Sequence, residues 1–180
     1  MHIENVERLE RYRPGGYHPV TTGEHLSDRY LVVHKLGYGT NSTTWLAKDR
    51  RTATYVAIKI AVASGGSQES SILHRLADGI DKNGASPGQA AIPPVLDDFT
   101  LTGPNGKHRC LVTVPASMSL DLAKDASVSR LFQPRVARAI AAQLIQGVVF
   151  LHSRGIVHGG TSVDSPFSYA VSRDKRDKQD

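Results

Sequence analysis

Leu36-Gly37-Tyr38-Gly39-Thr40-Asn41-Ser42-Thr43-Thr44, followed by Val56-Ala57-Ile58-Lys59, is the stretch that decides how this chain folds. Before it, residues 30–36 are rich in β-formers, and Thr43-Thr-Trp-Leu-Ala47 resumes that pattern beyond the glycines. The spacing predicts a hairpin over a glycine turn. Residues 55–62 then form a third antiparallel strand with Lys59 at its middle. Taken singly, the glycines serve turn geometry equally well, and a lone strand lysine is ordinarily a solvated edge residue. Their order along one chain suits a phosphate group, which needs backbone that approaches without a Cβ in the way and a cation for its oxygens.

Working outward, Ser64-Gly-Gly-Ser67 breaks the strand pattern, and Ser67 is placed to cap a helix over residues 68–78. Ile72, Leu73 and Leu76 fall at helical spacing there, Glu69 sits in the first turn, and Gly79 closes the helix. Residues 95–101 and 109–114 flank Thr102-Gly-Pro-Asn-Gly-Lys107, a second hairpin that Pro115 ends. The fold class read from these elements is α+β, a five-stranded antiparallel sheet with one helix. Residues 120–131 have room for one or two helical turns. The strongest helix is 134–152, with Pro134 at its first position, Val136, Ile140, Leu144, Val148 and Leu151 on one face, and Gly155 as its stop. Residues 1–24 hold Pro14-Gly-Gly16, Pro19 and Gly23 and read as an extended lead-in without a core role.

The 180 residues suit one domain of ordinary size, or one with tails, and 39% hydrophobic residues argue against wholesale disorder. Lys and Arg outnumber Asp and Glu by 22 to 17, a net charge of +5. That charge is not clustered, no helix carries a run of Lys or Arg, and aromatics are 6%, so a nucleic-acid partner is not the reading. The single cysteine, Cys110, leaves no intrachain disulfide framework or multi-cysteine zinc site, and reads as a small core residue rather than a reactive thiol. The first eight residues carry acids and no apolar run, unlike a signal or transit peptide. Lys59 interrupts one apolar stretch and Gln143 and Gln146 another, so no membrane span is expected. The reading is an intracellular protein, cytoplasmic, nuclear or both.

The glycine stretch and the strand lysine together resemble the eukaryotic protein kinases. Tyr12-Arg-Pro-Gly-Gly-Tyr-His-Pro-Val20, Asp28-Arg-Tyr30 and Thr43-Thr-Trp-Leu-Ala-Lys-Asp49 are similar, more narrowly, to the SR-protein kinase group and its fungal members, over roughly residues 12–159. In that group serine typically holds the third glycine position of the loop, as Ser42 does. The resemblance implies a kinase small lobe, a helical start of a large lobe, ATP, Mg2+ and Arg/Ser-rich protein substrates. It places Leu36, Gly37, Gly39, Ser42 and Thr44 around the nucleotide, Ala57 as the roof over adenine, and Lys59 on the phosphates, paired with Glu69. The bland reading of Glu69 is that it favours the helix dipole. Thr113 stands at the gatekeeper position, with the backbone of Val114 and Ala116 facing adenine. Val114 departs mildly from the acidic residue common there.

Leu151-His-Ser-Arg-Gly-Ile-Val-His158 continues the match up to the catalytic loop, and there it fails. The family carries a proton-accepting aspartate where Gly160 stands and a magnesium-binding asparagine where Ser165 stands. Neither Asp-Phe-Gly nor Ala-Pro-Glu follows, and Asp164 and Asp174 lack motif context. The reading is therefore a kinase truncated at its catalytic loop: lead-in 1–24, small lobe 25–117, partial large lobe 118–159 and a disordered tail 160–180 outside the family pattern. No catalytic residue is intact on this reading, and the magnesium ligands are absent. The alternative is an inactive kinase fragment that works as a protein-interaction module.

Overall fold

The computed structural model describes residues 7–65, 69–78, 88–116 and 120–157. Contacts divide the chain into two units, Met1–Ser70 with Pro94–Pro115, and Ser71–Pro93 with Ala116–Asp180. One seam lies between Pro115 and Ala116, and another follows Ser70, inside the first helix.

The first unit is built on an antiparallel sheet of six strands: β1 (His25–Leu26), β2 (Tyr30–Gly39), β3 (Ser42–Asp49), β4 (Tyr55–Ala61), β5 (Val95–Gly103) and β6 (Gly106–Thr113). Their order across the sheet is β1-β2-β3-β4-β6-β5. β1 is one strand more than the sequence predicts. Two residues are too short to show alternation, and the reversal is made by Ser27 and Asp28, both at φ 52°, which sets Leu26 opposite Tyr30. Short polar side chains tolerate that left-handed backbone better than most.

Alternation sorts the strands into two faces. Val32, Trp45, Ala47, Ile58, Ile60, Cys110 and Val112 are buried together in the core cluster, with Tyr30, Leu26 and Val56. Cys110, at 1% exposure, is the core residue expected of it. At the base of the sheet the Arg29 guanidinium donates from Nε and Nη2 to the two carboxylate oxygens of Asp49, at 2.9 and 2.7 Å, and from Nη1 to Asp97 Oδ2 at 2.9 Å. Tyr30 donates its hydroxyl to the same Asp97 oxygen at 2.7 Å. This network ties β2, β3 and β5 together at one edge of the core.

The lead-in is not a bare extended arm. From residue 7 it makes a short 3-10 turn, Leu9–Arg11, and then buries Tyr17 and His18. Its glycines allow close approach. Gly15 has φ 82°, and a Cβ on Gly16 would lie 1.9 Å from the Arg11 carbonyl oxygen. The backbone thereby reaches the sheet connections, with Gly15 N–H donating to the Asn105 carbonyl at 2.8 Å and the Ala63 and Ser64 amides donating to Gly16 and Gly15 carbonyls at 3.1 and 2.9 Å. His18 lies 4.8 Å, ring to ring, from the buried His108. Composition flagged these residues as breakers; the contacts they permit are long-range.

Helix α1 spans Glu69–Asp78 and buries Ile72, Leu73 and Leu76 at the predicted spacing. The expected cap at Ser67, the start at Gln68 and the stop at Gly79 lie outside the described residues. In the second unit, α2 (Leu120–Asp125) falls inside the segment allotted one or two turns, and α3 (Pro134–Ser153) is the long helix expected. A short 3-10 turn, Gln89–Ala91, packs on α3 so tightly that a Cβ on Gly88 would meet the Gln146 carbonyl at 2.0 Å. Burial in α3 gathers at Gly147, Phe150 and Leu151, and the predicted stripe is only partly followed, since Val136 is 44% exposed. Gly155, at φ 70°, ends the helix as predicted, with the Gly155 and Ile156 amides returning to the His152 and Leu151 carbonyls at 3.0 Å.

By length and composition alone α3 is long and apolar enough to cross a bilayer, with a mean hydropathy of 1.3 in its 18-residue window. Gln143 and Gln146 are uncharged and too few to bring the window below the apolar range. Core helices of non-membrane proteins meet the same measure.

Candidate functional site

The glycine stretch does not form the turn. β2 runs through Gly37, Tyr38 and Gly39, and the reversal falls on Thr40 and Asn41 before β3. Gly37 pairs with Thr44 and Gly39 with Ser42. Neither glycine has the positive φ that would demand glycine, and a Cβ built on either meets nothing within 4 Å. Local geometry therefore leaves both free to be other residues. What their absent side chains provide is open space on one face of the hairpin.

The register shows which residues share that face. Thr44 is opposite Gly37 on one side and Lys59 on the other, and Lys59 is opposite Leu111 on β6. Two residues along β4 from Lys59, Ala57 is opposite Thr113. Directly opposed residues project to the same side, as do residues two apart on a strand. Gly37, Gly39, Ser42, Thr44, Ala57, Lys59 and Thr113 thus line a single face, and the hydrophobic cluster with Trp45, Ile58 and Cys110 occupies the other. Leu36, at an irregularity between Lys35 and Gly37, is 46% exposed.

Glu69, in the first turn of α1, accepts a hydrogen bond from the Lys59 ammonium at 2.8 Å. The side chains stay 30% and 22% exposed, so the cation is held but still reachable from solvent. Val114 follows β6 and is 48% exposed, and Ala116 belongs to the second unit. His158, Gly159, Gly160, Ser165, Asp164 and Asp174 lie outside the described residues. Among the described residues no group of three or more His, Cys, Asp or Glu side chains is placed to hold a metal ion.

Two residues that sequence reasoning did not single out also reach the glycine stretch. The Tyr17 hydroxyl donates to the Gly39 carbonyl oxygen at 2.7 Å, and Arg11 Nη2 donates to that of Thr40 at 2.5 Å. Hydrophobic periodicity gave no signal for either, because the segment that bears them holds only the short 3-10 turn Leu9–Arg11 and no strand.

The comparisons with known proteins bear on the same region. Over 162 residues the chain is 38% identical to serine/threonine-protein kinase SKY1 of Saccharomyces cerevisiae, covering 86% of this chain and 22% of that protein. It is 36% identical over 159 residues to protein kinase dsk1 of Schizosaccharomyces pombe, covering 84% and 29%. With SRSF protein kinase 3 of Homo sapiens the identity is 33% over 159 residues, covering 86% and 28%. Over most of its length the chain is similar to the SR-protein kinases. The kinase-like chain spans less than a third of each of these three relatives. No family model matches it. The α+β antiparallel sheet expected of a kinase small lobe is present, widened by β1.

Proposed function

We propose that this chain carries a nucleotide-binding small lobe that holds ATP on the face lined by Gly37, Gly39, Thr44, Ala57 and Lys59. The observation that carries this reading is the pairing of clear space over Gly37 and Gly39 with a glutamate-held ammonium on the same sheet face. Two strand glycines that the fold itself does not require, at a hairpin tip, suit backbone amides approaching phosphate oxygens. Lys59 supplies the charge complement, and Glu69 limits the positions its flexible stem can take. The Ala57 methyl leaves room for a flat base beside it, and Thr113 ends the strand that leads to Val114.

ATP would bring the transferable phosphoryl group, and Mg2+ would offset its charge. The residues of this chain that act on it are those of the binding half. Gly160 and Ser165 stand where the family carries its proton-accepting aspartate and a magnesium ligand. Phosphoryl transfer depends on these groups acting together, so the reading is a chain that binds nucleotide and transfers little phosphate. The same two positions favour the second reading, an inactive kinase fragment used as a protein-interaction module. Arg/Ser-rich proteins are the proposed partners, in the cytoplasm, the nucleus or both.

The test is equilibrium binding of a fluorescent ATP analogue to the chain and to Lys59→Ala, followed by radiolabel transfer to an Arg/Ser peptide. Binding that weakens in Lys59→Ala, with transfer near background, agrees with the proposal. Binding indifferent to Lys59 overturns the nucleotide reading, and robust transfer overturns the reading of Gly160.

A further inference from the structure

The segment before β1 converges on the hairpin tip that bears the glycines. Tyr17 is 2% exposed, its backbone carbonyl accepts from Asn105 Nδ2 at 2.6 Å, and its amide donates to the Arg11 carbonyl at 2.9 Å. The Arg11 guanidinium lies 5.0 Å from the centre of the Tyr17 ring. Upstream, Glu7 pairs with Lys35 of β2 and accepts from the Tyr12 hydroxyl. Downstream, Gly15 and Gly16 are fastened to Ser64 and Ala63. From this framework two donors reach two consecutive carbonyls of the tip, Tyr17 to Gly39 and Arg11 to Thr40.

We infer that residues 11–17 are a strap that fixes the backbone of the glycine-bearing hairpin tip, with Arg11 and Tyr17 as positioning residues. A planar trans peptide points its N–H opposite to its C=O. Holding the Gly39 and Thr40 carbonyls toward the strap therefore directs the Thr40 and Asn41 N–H groups away from it, where an anion could meet them. A two-residue hairpin end without such ties would sample several orientations of these planes, and ordering them would weaken any ligand that needs one. The effect on nucleotide rests on the reading proposed above; the strap itself does not.

Hydrogen exchange of the full chain without nucleotide separates the two. Tyr17→Phe removes one hydroxyl and keeps the buried ring, and Arg11→Gln, near the surface, guards against misfolding of the first variant. Loss of one hydrogen bond of ordinary strength should speed exchange of residues 37–42 by about 2- to 10-fold, and weaken an ATP analogue by a similar factor. Exchange unchanged in both Tyr17→Phe and Arg11→Gln overturns the strap, whatever the nucleotide result. Faster exchange with unchanged affinity, in a chain whose binding depends on Lys59, overturns its positioning role. Faster exchange in a chain that binds no nucleotide supports the strap and overturns the nucleotide reading instead.

Discussion

The Lys59 ammonium meets the Glu69 carboxylate at 2.8 Å, joining the middle of β4 to the first turn of α1. Both side chains remain partly exposed, and ion pairs in that setting contribute at most about 1 kcal/mol to stability. The value of the pair lies in where it holds the cation. Lys59→Ala and Glu69→Gln should therefore each move the unfolding free energy by less than about 1 kcal/mol. On nucleotide the two differ. Lys59→Ala loses a charge-assisted contact and should weaken an ATP analogue by about 10- to 100-fold, and Glu69→Gln, which leaves the lysine in place, by less. Titration calorimetry beside denaturant unfolding reads both effects.

Gly37→Ala and Gly39→Ala test the same site from the other strand. A Cβ at either position meets nothing within 4 Å, and neither backbone is left-handed, so the folded chain should accept both with stability unchanged or slightly raised. The added methyls would stand in the space assigned to phosphate, so analogue affinity should fall. A normal unfolding curve with weakened binding is the expected pair of results.

Ile58 is fully buried between Trp45 on β3 and Val112 on β6, its partners in register. Truncation there leaves a cavity enclosed by two neighbouring strands. Ile58→Ala should cost about 2–5 kcal/mol in urea unfolding, well beyond any change at Lys59 one residue away.

Acid should act through Asp49. Hydrogen bonding from Arg29 holds its carboxyl well below the ordinary carboxylate range, against the opposing effect of burial, with the Arg51 amide and Thr52 hydroxyl adding to the depression. A carboxyl depressed in the folded state contributes stability that is complete above its unfolded value and is lost as the pH falls toward the folded one. The melting temperature should hold steady from neutral pH down to about 4 and then decline. Asp49→Asn should begin lower at neutral pH and show a shallower acid decline, measured by circular dichroism melts.

Burial pushes the Cys110 thiol up to about 12, and its side chain sits in the core at 1% exposure. Thiolate is the reactive form, so a thiol reagent at pH 8 should label the native chain only as fast as it opens. Labelling should become rapid in denaturant at the unfolding midpoint. Rapid labelling of the native chain would contradict the packing of β6.

Much of this architecture was legible along the chain. Alternating β-formers marked five of the six strands, and Pro134 and Gly155 marked the ends of α3, because each signal is read from residues next to the element it bounds; the order of Gly37, Gly39 and Lys59 pointed to the proposed site through the motif it resembles. Register then did what composition could not: it put the glycines, Thr44, Ala57, Lys59 and Thr113 on one face by pairing strands across the sheet. The family resemblance already implied that Glu69 reaches Lys59; the tertiary structure alone decided that Tyr17 holds Gly39 and that Arg29 gathers Asp49 and Asp97. The last two arrangements join residues 20 to 68 positions apart. Hydrogen bonds of that span leave no periodic trace, since a polar side chain in a Gly/Pro-rich segment reads the same whether it faces water or a buried carbonyl. Only closure of the sheet, which brings distant backbone groups within 3 Å, distinguishes the two.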